Sequence, residues 1–276
     1  MAKIILFTQN TMASVVASRE IIRKNHAQIS AVVLASQLKG ESVKDQAKIA
    51  YKLIKKSSLS FFGYKLVESR LYNLLLKGHR LVKSRKYLND EAKTIEELAE
   101  KHNLRLIKAN DLSSQEFLGQ IKDLNPDYIL CLVSQILKKN VFETLGNRLI
   151  NAHGSYLPEY RGAAQYVFYL KNNDPQFGVT IHFMEPGLDS GPIIFQRKFA
   201  YDRNGSMYKL HHQIAWQFGQ MLNEFMENYA SLPQIKTIVQ DEGKATYTRM
   251  PLKEDIAGVR ENGCKLLTIR DFLNYL

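Results

Sequence analysis

Cysteine and tryptophan are nearly absent from this 276-residue chain, which has two of the first and one of the second. Two thiols cannot build a disulfide framework, so a small stapled secreted domain is excluded and a reducing compartment is implied. Cys131 lies inside the apolar run Tyr128-Ile-Leu-Cys-Leu-Val133, the setting of a core residue rather than a nucleophile. No stretch approaches the roughly 18 apolar residues of a membrane span. The N-terminal apolar run is only Ile4-Ile-Leu-Phe7, too short for a secretory segment. The expected localisation is therefore cytoplasmic, with no membrane span. Repeats and low-complexity linkers are also lacking, and the length suits one large domain with a modest appendage.

Acidic residues are scarce relative to basic ones, and the formal net charge is +11. The excess is local. Between Lys39 and Tyr87 there are 13 Lys/Arg against three acids, which leaves the rest of the chain close to neutral. Tyr51-Lys-Leu-Ile-Lys-Lys56 and the stretch from Val67 to Leu81 place apolar residues at helical spacing with cations between them. Two readings stay open for residues 39–87: a solvated helical insertion, or a surface for a polyanion such as RNA or acidic lipid.

Short apolar runs alternate with helical stretches through the first half. Lys3-Ile-Ile-Leu-Phe-Thr8, Gln28 to Ala35, Arg105 to Lys108, Asp127 to Val133 and Leu149-Ile-Asn-Ala152 read as strands. Helices fall between them, one of them at Ile95-Glu-Glu-Leu-Ala-Glu100. That alternation predicts an α/β fold with a Rossmann-like, mostly parallel sheet covered on both faces. Gly178 to Met184 and Pro192 to Arg197 then read as paired strands, followed by a long amphipathic helix from about Ser206 to Tyr229. The predicted division is a catalytic domain over residues 1–240 and a short C-terminal extension over 241–276, ending in a helix-like Thr268 to Leu276.

Ligands of open α/β sheets bind outside the carboxyl ends of the strands. Asn151 and His153 sit where the strand ending at Ala152 gives way to a loop, and side chains two apart on extended backbone face the same side. Asp189 lies in a second loop between Gly187 and Gly191, where backbone can approach a ligand closely. An amide, an imidazole and a carboxylate suit acyl transfer to an amine. Asn151 and a protonated His153 can stabilise the oxyanion. His153, or a water held by Asp189, can take the ammonium's proton. The blander alternative is a capping Asn, a core His and a turn Asp, each common alone. His211-His212 reads as a surface pair, because adjacent helical side chains point about 100° apart and no other ligand joins them.

Asn151-Ala-His153 followed by Ser155-Tyr-Leu-Pro-Glu-Tyr-Arg-Gly-Ala163 resembles the signature of the folate-dependent formyltransferases. Gly178-Val-Thr-Ile-His-Phe-Met184 and Leu188-Asp-Ser-Gly-Pro-Ile-Ile194 continue it in the family's order and spacing. The resemblance is strong over residues 120–200 and weaker over 1–35 and 104–119. It implies that Asn151, His153 and Asp189 are catalytic and that the co-substrate is 10-formyltetrahydrofolate. Ser134, Gln135, Ile136 and Leu137 would hold its pterin, with Glu185, Pro186, Gly187 and Leu188 as the opposite wall; no metal is expected. Tyr160 and Arg161 belong to the motif as site or scaffold residues alike.

The partners so implied are folate and a small amine-bearing acceptor, with a homodimer allowed. Thr8-Gln-Asn-Thr-Met-Ala13 has no glycine where glycinamide ribonucleotide enzymes carry a phosphate loop. The residues after Gln240 are too few for the barrel of methionyl-tRNA enzymes. A nucleotide-linked amino sugar is therefore the favoured acceptor. Methionyl-tRNA, or water in a formyltetrahydrofolate hydrolase, are alternatives within the class. A catalytically inactive nucleic-acid-binding protein, suggested by the basic segment, is the alternative from another class.

Overall fold

The computed structural model describes residues 2–36, 51, 55, 58–68 and 94–271. Most of the basic segment 39–87, Lys52 and Lys56 included, lies outside them, as do residues 272–276. Seven strands form the main sheet among the described residues: β1 (Ile4–Thr8), β2 (Ile29–Ala35), β3 (Leu106–Ala109), β4 (Tyr128–Cys131), β5 (Leu149–His153), β7 (Gln176–Phe183) and β8 (Ile193–Ala200). Their order is β3-β2-β1-β4-β5-β7-β8. The first five run parallel; β7 and β8 are antiparallel additions at one edge.

Alternation along β1 shows how the layers form. Ile4 and Leu6 enter one core with α1 (Met12–Asn25), while Ile5 and Phe7 enter a second core under α4 (Gln115–Leu124) and α5 (Lys139–Leu145). All four side chains have no exposed surface, as a strand covered on both faces requires. The first core also receives α7 (Met207–Asn228), capped by Ser206, whose Oγ accepts from Lys209 N at 3.0 Å. Thr94 and Glu97 close a reciprocal capping box on α3 (Ile95–Lys101). No helix among the described residues is long and apolar enough to cross a membrane.

Two features depart from the sequence reading. Within the basic segment, α2 (Leu59–Glu68) is not a solvated helix. Phe61, Tyr64 and Glu68, at helical spacing, are buried, and Tyr64 meets Tyr166 of α6 (Gln165–Lys171) and Tyr208 of α7. That same contact overturns the surface reading of His211. The ring is 9% exposed, stacks on Tyr166 at 4.1 Å between centroids, and its Nδ1 lies 2.9 Å from Tyr64 Oη. Burial pushes His211 and its half-buried neighbour His212 down to about 4.

The chain after Gln240 is knitted to the sheet's carboxyl end. Strand β9 (Tyr247–Thr248) pairs with β6 (Arg161–Gly162), and α8 (Lys253–Glu261) packs on α6. Gly162 has φ +109°, and a Cβ there would lie 2.2 Å from Thr248 O, so only glycine admits this pairing.

Candidate active site

Strand β5 delivers Asn151 and His153 to one side of the sheet's carboxyl end. In the antiparallel register, Asn151 lies opposite His182 of β7, and the two side chains meet with Nδ2 3.2 Å from Nε2. His182 Nδ1 is 2.8 Å from its neighbour's carbonyl, Phe183 O. A carbonyl only accepts, so Nδ1 holds the proton and Nε2 accepts from Asn151. Burial, reinforced by nearby His153, pushes His182 down to about 4 and keeps this neutral tautomer in place. The Asn151 amide is thereby fixed, with its second N–H left for the cavity.

His153 is 5% exposed and held on both sides. Its Nε2 lies 3.0 Å from Tyr160 O, and Nδ1 lies 3.5 Å from Asp189 Oδ2, an ion-pair distance rather than a short hydrogen bond. Both neighbours are acceptors. A ring nitrogen donates to the acceptor beside it only when it carries a proton. Gln165 at the start of α6 sits against the same ring, its Nε2 3.2 Å from His153 Nε2, and donates to Gly162 O.

Asp189 occupies the loop between β7 and β8 with φ +51°. Its Oδ2 accepts from Gly162 N at 2.8 Å, which ties this loop to the motif after β5. Gly191 lets the loop close: a Cβ there would stand 1.9 Å from Phe183 O. The tight approach at Gly191 is thus to β7. Arg161, 1% exposed, donates to Gln240 Oε1 and in a two-pronged contact to Glu242. It acts as scaffold, as does Tyr160, whose hydroxyl donates to Asp174 at 2.6 Å.

Asn151, His153, Gln165, His182 and Asp189 line one cavity of about 1060 Å³. Ser134, Gln135, Ile136, Leu137, Glu185, Pro186, Gly187 and Leu188 border the same space, whereas Tyr160 and Arg161 do not line it. Gln135 Nε2 donates to Ser36 O at 2.6 Å and Asn110 O at 3.3 Å, joining the loops that follow β2, β3 and β4. Ser134 N and Oγ both donate to Gln9 Oε1. Ile136 is 93% and Leu188 56% exposed, two uncovered apolar side chains in the cavity lining. His182, Gln165 and Gln240 are contributors that the sequence reading did not single out.

An amide, an imidazole and a carboxylate thus gather past the strand ends of an open α/β sheet, where ligands of such sheets bind. The family follows from comparison with known proteins. The formyl transferase family model matches residues 2–225, and the chain belongs to that family.

Among its relatives, the methionyl-tRNA formyltransferase of Syntrophomonas wolfei is 32% identical over 162 residues, covering 58% of this chain and 52% of that protein. That of Thermotoga maritima is 32% identical over 163 residues, covering 59% and 52%. The chain thus spans about half the length of these relatives. Similar folds include an N-formyltransferase from Helicobacter canadensis in complex with folinic acid and dTDP-3-aminofucose (17% identity, TM-score 0.55, 90% of this chain and 71% of that one). Phosphoribosylglycinamide formyltransferase from Anaplasma phagocytophilum is another (13%, TM-score 0.57, 92% and 98%).

Proposed function

We propose that the chain transfers the formyl group of 10-formyltetrahydrofolate to a primary amine, and that an amino sugar linked to a nucleotide is its acceptor. The observation that carries this reading is the convergence of Asn151, His153 and Asp189 on one cavity between the two loops assigned to folate. The acceptor nitrogen attacks the formyl carbon, and the carbonyl oxygen gains negative charge. Asn151 Nδ2–H, held by His182, is the donor available to that oxygen, and a protonated His153, its N–H groups beside Tyr160 O and Asp189, stabilises the developing charge by its own positive charge. The new C–N bond forms as the bond to folate N10 breaks. The amine gives up a proton, N10 gains one, and Asp189 beside His153 stabilises the charge meanwhile.

The folate assignment of residues 134–137 and 185–188 is supported by their places in the lining of the cavity that Asn151, His153 and Asp189 share, with Ile136 and Leu188 offering apolar surface to a flat ring. Methionyl-tRNA is the second reading, favoured by the 30–34% identity to proteins of that name. A tRNA would engage the basic segment 39–87 as a polyanion.

The test is tetrahydrofolate release and product formylation with 10-formyltetrahydrofolate against nucleotide-linked amino sugars, charged tRNA, and buffer alone. Formylation of an amino sugar supports the primary reading, and formylation of tRNA the second. Release in buffer alone identifies a hydrolase. No turnover, together with salt-dependent RNA binding, identifies an inactive nucleic-acid binder.

A further inference from the structure

We infer that Gln165 receives the amine of the acceptor, its side-chain oxygen Oε1 taking a hydrogen bond from the attacking nitrogen; this rests on the formyl-transfer reading above. Gln165 opens α6, three residues after the β6 strand begins to pair with the C-terminal segment. Its Nε2 donates to Gly162 O and lies 3.2 Å from His153 Nε2. Gly162 O can only accept, so the nitrogen of the amide faces that carbonyl and the oxygen does not. The second N–H of the same nitrogen is left for His153, and donates to it whenever that ring nitrogen is unprotonated. Both donors of the amide are thereby committed, and its oxygen points away from Gly162 O.

That oxygen accepts no hydrogen bond among the described residues, and it is not sealed off by them. Gly154, the residue after His153, leaves it uncovered. A Cβ built there would stand 3.5 Å from Gln165 Oε1, 3.3 Å from Ile214 Cγ2 and 3.5 Å from Phe218 Cζ. All four residues line the cavity that Asn151, His153 and Asp189 share. One hydrogen-bond acceptor thus sits between two apolar side chains, beside the imidazole.

An uncharged primary amine suits this spot. Apolar surroundings favour the amine over the ammonium, and only the amine has a lone pair for the formyl carbon. By holding one hydrogen of the nitrogen, Oε1 limits where that lone pair can point. A carboxylate or carbonyl oxygen would meet Oε1 as a second acceptor and leave it unpaired. Ala164, immediately before Gln165, has φ +58°, a left-handed conformation that an alanine keeps only where its surroundings impose it. The amide is therefore presented from backbone that is itself held.

The test compares wild type with Gln165→Met, which keeps the length of the side chain without its amide, and with Gln165→Ala. Calorimetry measures Kd for dTDP-3-aminofucose and for its 3-deoxy analogue, in which hydrogen replaces the amine. The protein is saturated with 5-formyltetrahydrofolate, and thermal melts confirm that each variant is folded. Wild type should bind the amino sugar about tenfold more tightly than the 3-deoxy sugar, or better. In the folded variants that preference should shrink to about threefold or less, with the loss falling on the amino sugar. A purely structural Gln165 would weaken both sugars alike; a preference unchanged in a folded variant overturns the assignment. So does a wild type that shows no preference for the amine. Wild type that binds 5-formyltetrahydrofolate but neither sugar overturns the amino-sugar reading, and this assignment with it. Wild type that binds no folate overturns the formyl-transfer reading, an outcome distinct from an unchanged preference.

Discussion

Gln240 Nε2 donates to the main-chain carbonyl of Asp189 at 2.8 Å, and to that of Gly191 at 2.7 Å. Its Oε1 accepts from Arg161 Nε at 3.1 Å and Nη2 at 2.8 Å. One buried amide thus joins the segment after β8, the loop carrying the candidate catalytic carboxylate and the motif after β5. Asp189 stands in the left-handed region of backbone space, which a non-glycine residue holds only when its surroundings impose it. Gln240 is part of that imposition.

Gln240→Ala should therefore act on both stability and rate. It strands two buried carbonyls and part of a buried guanidinium, a cost of about 2–4 kcal/mol. Loosening of Asp189 should lower kcat about tenfold while donor KM changes little. Denaturant melts and steady-state kinetics check this, and a variant with wild-type kcat would make Gln240 purely structural.

Asn151→Ala removes a donor to the developing oxyanion and leaves His182 Nε2 without its partner. Turnover should fall about 10²–10³-fold with donor binding nearly unchanged. Single-turnover rates at saturating donor measure it, and wild-type turnover would take Asn151 out of the mechanism.

Much of this site was legible because its signals are local. The period of two along β5 places Asn151 and His153 on one side, and the glycines around Asp189 mark a tight loop. His182 carries no such mark, since facing Asn151 depends on the antiparallel register of β5 with β7, fixed only by tertiary pairing. Gln165 and Gln240 are ordinary glutamines whose partners lie far along the chain. Helix α8 escaped notice because its nine residues hold only a few apolar side chains. His211 was misplaced for a related reason: the helix face it occupies is covered by α2, which a periodicity reading of α7 alone cannot supply.

Asp189→Asn keeps the size of the side chain and an oxygen to accept from Gly162 N. It removes the charge 3.5 Å from His153 Nδ1. Loss of the carboxylate that orients a catalytic imidazole costs on the order of 10⁴ in kcat where it has been measured in another enzyme. A fall of at least 10²-fold near neutral pH, with donor affinity retained, is expected here. A wild-type rate and pH profile would reduce Asp189 to a turn residue.

The buried histidines make stability fall on the acid side. In the folded chain burial holds His182 and His211 down to about 4, against an ordinary value near 6.5 in the unfolded chain. Between those values the unfolded state binds more protons than the native state. Stability is therefore fully present above about pH 6.5 and is lost progressively as pH falls toward about 4. Around His211 stand Tyr64, Tyr166, Lys65, Glu68 and His212; among the charged ones Glu68 favours the protonated ring, while Lys65 and His212 oppose it. His211→Gln keeps an oxygen for the Tyr64 hydroxyl and removes the titration. Its Tm should lie below wild type at pH 7.5, through loss of the Tyr166 stack. It should then fall less steeply, so that the gap narrows by about 3–6 °C by pH 4.5, corresponding to roughly 1–2 kcal/mol in a chain of this size. Melts recorded in parallel at pH 7.5, 6.5, 5.5 and 4.5 provide the comparison. Curves that stay parallel across this range would show that His211 does not couple folding to protons, and would leave His182 as the ring to test next.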